Sequence, residues 1–191
     1  MTVIETARLA LRQLTPDDAA FMVELLNDPS FLRYIGDRGV RTLDDARRYV
    51  ETGPMASYER FGFGLYLVMG RLKPALTGGS GEPVPARAGG EADASGEAMG
   101  ICGLLKRDAL PEPDVGFAFL PRFWGQGYAY ESASAVLARG RDTHGLKRVL
   151  AITSPDNVAS IGLLGKLGFV FERLTRLSEE APEVRLFARE L

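Results

Sequence analysis

The stretch FAFLPRFWGQGYAYESASAVLARG, residues 117–140, narrows the possibilities most. It opens as an apolar run with strand character and passes through a turn holding Gly125 and Gly127. From Gly127 to about Thr143 its apolar residues recur with helical spacing. A strand that turns through glycines straight into a helix belongs to folds that layer helices on a sheet. Such a turn also carries chemistry. Glycines lack a Cβ and let an anion approach main-chain N–H groups, while the first helical turn adds unpaired donors and the positive end of the helix dipole. The combination is a pyrophosphate cradle. Two familiar versions are excluded: a dinucleotide fingerprint needs a third glycine where Tyr130 stands, and a Walker loop needs a Gly-Lys-Ser/Thr that this turn lacks. Glycines at a strand–helix turn also serve geometry alone, so other features must decide.

Along the chain, Leu9 to Leu14 (LALRQL) alternates as a strand does. Thr15 as N-cap, Pro16 at the first helical position, and Asp17 and Asp18 at the positive helix end predict a helix to about Asn27. Residues 29–41 have no clear period and read as a loop. Thr42 followed by Asp45 marks the start of a short helix to about Glu51. Phe63–Met69, Met99–Leu105, Asp114–Leu120 and Val149–Thr153 read as strands. A helix opens at Asp156 or Asn157 and ends near Gly168, and strands Phe169–Leu174 and Val184–Arg189 follow. The order β-α-α-β-β-β-α-β-α-β-β describes one α/β (α+β) domain over residues 1–191, with parallel pairing in the second half and hairpins elsewhere. Residues 73–97 break the composition, being rich in Gly, Pro, Ala and Ser. Such a segment cannot bury enough surface to offset its ordering entropy, and it is expected to be a flexible insertion within the domain.

Composition sets further bounds. A chain of 191 residues, 46% hydrophobic, suits one domain with a full core. Its 25 acidic and 23 basic side chains form no basic stripe, so a nucleic-acid partner is not expected. No apolar run approaches the ~20 residues of a membrane span, and the start MTVIETARLALRQL lacks the regions of a secretory signal. The single cysteine, Cys102, excludes an internal disulfide and a multi-cysteine zinc site; no metal is expected, and the setting is expected to be cytoplasmic.

A second informative piece, TSPDNVASIGLLGKLGFVFE, begins at Thr153. Asn157 and Ser160 are neighbours on one face of a helix start, where they either cap the helix or meet a ligand. Lys166-Leu167-Gly168-Phe169 reads as a helix end with a glycine stop. Gly116-Phe117, Phe123 through Glu131, Pro155 through Ser160, Lys166 through Phe169 and the early Thr6-Ala7-Arg8-Leu9 together resemble the GNAT superfamily of N-acetyltransferases. Within it they resemble the branch related to the N-terminal acetyltransferases of ribosomal proteins. The family's loop, Arg/Gln-x-x-Gly-x-Gly/Ala, maps onto Trp124-x-x-Gly127-x-Ala129, departing at its first position.

The resemblance implies a mixed, mostly antiparallel central sheet flanked by about four helices. It implies acetyl-CoA as donor and a primary amine, on a small molecule or a protein N-terminus, as acceptor. The amides of Trp124, Gly125, Gln126, Gly127, Tyr128 and Ala129 would then hold the pyrophosphate. The pantetheine arm would lie along Phe117, Phe119 and Leu120, with Asn157 bonding it and Ser160 near the sulfur. A non-catalytic acyl-CoA sensor, or a transferase using another acyl-CoA, is the alternative. Many relatives carry a tyrosine where Leu164 stands, so Ser160 is the remaining hydroxyl for the leaving thiolate. Asp114, at the start of the flanking strand, is the candidate base, set against a plain solvated carboxylate. In the 28–41 segment, Tyr34 and Asp37 are candidates for a wall and a cation attraction at the acceptor site. His144, the only histidine, reads as a helix-end residue and Cys102 as a small core residue. Oligomeric state is not encoded legibly.

Overall fold

The computed structural model describes residues 2–71 and 96–191. The expected insertion, apart from Gly96 and Glu97, lies outside the described residues. The strands are β1 (Thr2–Glu5), β2 (Leu9–Gln13), β3 (Leu65–Gly70), β4 (Ala98–Leu105), β5 (Asp114–Phe119), β6 (Arg148–Thr153), β7 (Val170–Thr175) and β8 (Val184–Glu190). They form one sheet in the order β1-β2-β3-β4-β5-β6-β8-β7. Every neighbouring pair is antiparallel except β5 and β6.

The helices are α1 (Ala19–Leu26), α2 (Pro29–Tyr34), α3 (Leu43–Val50), α4 (Ala56–Phe61), α5 (Tyr128–His144) and α6 (Val158–Lys166). Strand alternation divides the core in two. Leu67 and Ile101 point to the face where Met22, Leu25, Leu26 and Val50 of α1 and α3 pack. Tyr66, Val68 and Cys102 point to the face where Val136 and Leu137 of α5 and Leu164 of α6 pack. The sheet is therefore the middle layer of a helix–sheet–helix sandwich.

The four predicted helices and all the predicted strands are present, and the differences are local. β1 is an added edge strand, short and half-exposed, which leaves it no apolar alternation to read. The expected loop after residue 28 begins with α2. Asp28 accepts from the Ser30 amide at 2.9 Å and Pro29 presets the first turn, while six residues are too few to show a helical period. Beyond Val50 the chain keeps coiling through a wide π-type turn, Glu51–Met55, which takes in the buried Pro54 and leads into α4. Gly53-Pro54 signals a stop, and the wide turn overrides it by leaving room for the proline ring.

One pairing detail positions everything that follows. β5 and β6 are in register only at Asp114 and Leu150, where the Leu150 amide also donates to the Pro113 carbonyl at 2.9 Å. β5 stays bonded to β4 along its whole length. Its other edge, beyond Val115, is left open as β6 diverges, at the carboxyl ends of two parallel strands where α/β sheets place ligands.

Candidate active site

A cleft of about 1000 Å³ occupies this opening. It touches both faces of β5: Phe117 and Phe119 belong to the α5–α6 side, Ala118 to the α1–α3 side. The cleft thus runs through the plane of the sheet. On one side it reaches the glycine turn and Asn157–Ser160; on the other it is closed by Leu25 and by Phe31, Tyr34 and Ile35 at α2.

The glycine turn is built in steps. Pro121–Phe123 forms a single helical turn after β5, and the Trp124 indole N–H folds back to donate to the Phe119 carbonyl at 2.7 Å. Gly125 (φ 72°) and Gly127 (φ 83°) then take left-handed conformations that a Cβ would strain. A Cβ on Gly125 would meet no protein atom within 4 Å and would instead stand in open space. Gly127 immediately precedes α5, whose first-turn amides have no intrahelical acceptor. A turn that presents donors and keeps its Cβ positions vacant suits a pyrophosphate.

Arg8 and Glu131 fasten this turn to the start of β2. The Arg8 guanidinium donates to Glu131 Oε2 at 2.7 Å and to the Gln126 carbonyl at 2.9 Å, and lies 4.6 Å over the Tyr128 ring. Glu131 Oε1 accepts from the Thr6 hydroxyl at 2.6 Å and the Arg8 amide at 2.9 Å. In a trans peptide C=O and N–H point opposite ways. Holding the Gln126 carbonyl toward Arg8 therefore turns the Gly127 N–H away from Arg8. Burial works to raise the Glu131 carboxyl, but the bonds from Thr6 and Arg8 outweigh it and hold it below the usual glutamate range. Sequence reasoning used both residues only as motif letters; the early Thr-x-Arg with a glutamate in the first turn of the helix was the available signal.

The remaining predicted residues separate cleanly. Phe117, Phe119, Trp124, Gly125, Gly127, Tyr128, Ala129, Asn157 and Ser160 line the cleft. Leu120 sits in the core beneath it, and Gln126 faces away, its side-chain amide donating to the Arg122 carbonyl at 3.0 Å. Asn157 caps α6 by accepting from the Ser160 amide at 3.0 Å, so capping and a place in the cleft coexist in one side chain. Tyr34 is in the cleft wall. Next to it Arg33 pairs with Asp156 at 3.2 Å, tying α2 to the loop before α6.

Asp37 is not brought to the cleft. It braces its own loop, pairing with Arg41 at 2.5 Å and accepting from the Gly39 amide at 2.8 Å. Asp114 is also absent from the lining. It is 1% exposed at the paired end of β5 and bonded to Arg107 at 2.8 Å; burial raises its carboxyl and the Arg107 charge opposes that. His144 lies edge-on to Phe63 at 5.4 Å, away from the cleft, with burial and Arg139 lowering its basicity. Burial pushes the Cys102 thiol up to about 12, a structural thiol. Leu164 is buried in the core while Leu163 and Lys166 reach the cleft. Among the described residues there is no group of His, Cys, Asp and Glu able to hold a metal ion.

A sheet parted beside a glycine turn with unpaired first-turn amides defines a site suited to an anionic ligand that carries an extended arm. Residues 8–170 match the acetyltransferase (GNAT) domain, and the chain belongs to the GNAT acetyltransferase family. It is 28% identical over 177 residues to the uncharacterized N-acetyltransferase YoaA of Bacillus subtilis (strain 168), covering 91% of this chain and 86% of YoaA. Its fold is similar to that of the acetyltransferase from Agrobacterium tumefaciens str. C58, with TM-score 0.73, 22% identity and coverage of 99% and 94% of the two chains. It is also similar to RimL, the ribosomal L7/L12 alpha-N-protein acetyltransferase, in complex with coenzyme A, with TM-score 0.67, 16% identity and coverage of 100% and 98%. No helix among the described residues is long and apolar enough to cross a membrane.

Proposed function

We propose that this chain transfers the acetyl group of acetyl-CoA to a primary amine, on a small molecule or a protein N-terminus, by direct attack on the thioester. The observation that supports this best is the open edge of β5 beside the cradle. Beyond the Val115 amide that edge, around Phe117, offers main-chain N–H and C=O groups with no strand partner, and such groups favour pairing. A pantetheine arm, with two amides, pairs there as a strand would, while the turn from Trp124 to Ala129 holds the pyrophosphate.

Acetyl-CoA supplies an activated acyl carbon. The amine arrives neutral, having lost a proton to solvent. Its nitrogen bonds the carbonyl carbon, and an N–H of the β5 edge stabilises the oxyanion. The C–S bond then breaks with its electron pair on sulfur, and the second ammonium proton and the thiolate's need for one balance through Ser160 or water. A cytoplasmic setting fits an acetyl-CoA user. Release of free thiol from acetyl-CoA with an amine panel tests the reading. A sensor would gain thermal stability from the ligand without thiol release, and a transferase of another acyl group would release thiol only from that acyl-CoA.

Asp114 takes no part in this scheme, because the Arg107 pair and the sheet enclose it. Asp114→Ala should therefore lower stability by about 1–3 kcal/mol, the cost of leaving a charged partner unpaired. Activity per folded molecule should stay within about twofold of wild type, a change too small to signal loss of a base. Thermal denaturation alongside steady-state kinetics measures both. A large loss of kcat at unchanged stability would return Asp114 to the role of base.

The clamp gives a second expectation. Arg8→Ala should weaken CoA binding about tenfold, the scale of one charge-assisted bond. Arg8→Lys should recover only part, because an ammonium cannot bond Glu131 and the Gln126 carbonyl in the same fork. Isothermal titration measures this. Because the folded Glu131 carboxyl is lowered, its contribution is complete above the ordinary glutamate range and is lost as pH falls through the lowered value. CoA affinity of the wild type should fall over that acidic window, and that of Glu131→Gln should not.

A further inference from the structure

The geometry points to an acceptor that is a small monoamine carrying its amine on an apolar, preferably aromatic, body. This rests on the acetyl-transfer reading and concerns the half of the cleft that the cradle does not use. Because the cleft runs through the sheet, a donor held by the turn and the β5 edge approaches from the α5–α6 side. The acceptor must meet it from the α1–α2 side.

That side is made of Leu25, Phe31, Tyr34, Ile35 and Ala118. At the rim of this side Ile35 is 40% exposed, and across the mouth Val158, at the start of α6, is 76% exposed. Clustered exposed apolar side chains at a cleft mark what the cleft receives. Charged and hydroxyl groups near this side are largely engaged: the Ser30 hydroxyl is bonded to Asp28, and Asp156, the one carboxylate among the described lining residues, is paired with Arg33, which leaves the Tyr34 hydroxyl as the polar group facing an acceptor. Hydrogen bonds from Ser154 and Arg33 hold the Asp156 carboxyl below its usual range, so it stays charged and its counter-cation is supplied by the protein. A polyamine would bring further ammonium groups against a largely apolar wall, a desolvation cost with no unpaired carboxylate to offset it. An aryl or branched alkyl group would cover Tyr34 and Ile35, which stand over the buried Phe31. The cofactor arm shares the same 1000 Å³, and small-ligand sites span roughly 300–1,000 Å³, which favours a small acceptor over a long peptide.

The test uses the full chain with saturating acetyl-CoA and compares 2-phenylethylamine, spermidine and a peptide with leucine at its N-terminus. Expected is a kcat/KM for 2-phenylethylamine at least about tenfold above that for spermidine, the range a hydrophobic pocket discriminates. With CoA bound, 2-phenylethylamine should raise the melting temperature further and spermidine should not. Ile35→Glu, at a position exposed enough to keep its fold, should cut the preference about tenfold or more and remove the extra thermal shift. Equal or better use of spermidine, a tenfold preference for the peptide, or an Ile35→Glu variant with unchanged selectivity overturns the inference while leaving acetyl transfer standing. No thiol release with any amine overturns both together.

Discussion

Gly127→Val should yield a folded protein whose melting temperature no longer responds to acetyl-CoA. Gly127 has φ 83°, a conformation in which a β-branched side chain is strained, and it stands at the junction between the turn and α5. A Cβ there would also come 3.3 Å from the Arg8 guanidinium that holds the Gln126 carbonyl. Relief of either strain moves the Gly127 amide and the turn that should meet the pyrophosphate. For the wild type, ligand at 100 times Kd adds about 2.7 kcal/mol. In a domain of this size that is a rise of about 5–10 °C. The variant should show none. Gly145→Val separates strain from function: Gly145 also has positive φ, with open space around its Cβ position, but it ends α5 far from the cleft. That control should lose stability and keep the ligand shift. An undiminished shift in folded Gly127→Val would remove the turn from the binding site.

Ser160→Ala should lower kcat by roughly tenfold to a hundredfold, the lower end of acid–base contributions. The side chain stands in the first turn of α6 within the cleft, and its own amide is held by Asn157. The cap leaves the hydroxyl free of structural duty, so its removal should cost little stability. A hydroxyl hydrogen-bonds developing thiolate charge without being a strong acid, and a thiolate of pKa about 8.5 leaves readily, which keeps the effect modest. Affinity for acetyl-CoA should change less than turnover because the turn at Gly125 and Gly127 is untouched. Single-turnover measurements under conditions where chemistry limits the rate provide the comparison; wild-type kcat there would end the assignment, and a loss confined to affinity would make Ser160 a binding residue. Leu164→Tyr is a poor rescue, since Leu164 is enclosed in the core and a larger polar side chain would overpack it.

Much of the site was legible because it is written in backbone chemistry. Glycines at 125 and 127 announce positive φ, and the apolar spacing after them announces the helix they cap. The same reasoning found Asn157 and Ser160 at the start of α6. It did not reach placements that depend on which end of a strand a residue occupies. Asp114 and Phe117 share β5, yet one is enclosed where β5 meets β6 and the other stands where they part. No local pattern records where two strands diverge, because the divergence is a relation between segments far apart in sequence. Asp37 is a similar case: Arg41, four residues on, claims it, and sequence does not say which cation a surface carboxylate pairs with. α2 and the wide turn around Pro54 escaped notice because six-residue and five-residue elements are shorter than the windows over which periodicity is detectable.

The bond from the Arg8 amide to Glu131 joins positions 123 residues apart. Closing so long a span is entropically slow, and contacts of this kind form after local ones. Helix α5 and its glycine turn can assemble early from neighbouring sequence, but the turn is not locked until the strand carrying Arg8 is laid on the sheet beside β3. During refolding, ligand-competent molecules should therefore accumulate later than helical signal. The same dependence makes the short segment from Thr6 to Arg8 the worst place to splice in a tag or open a circular permutant, since a cut there frees the fastening and spares the helix.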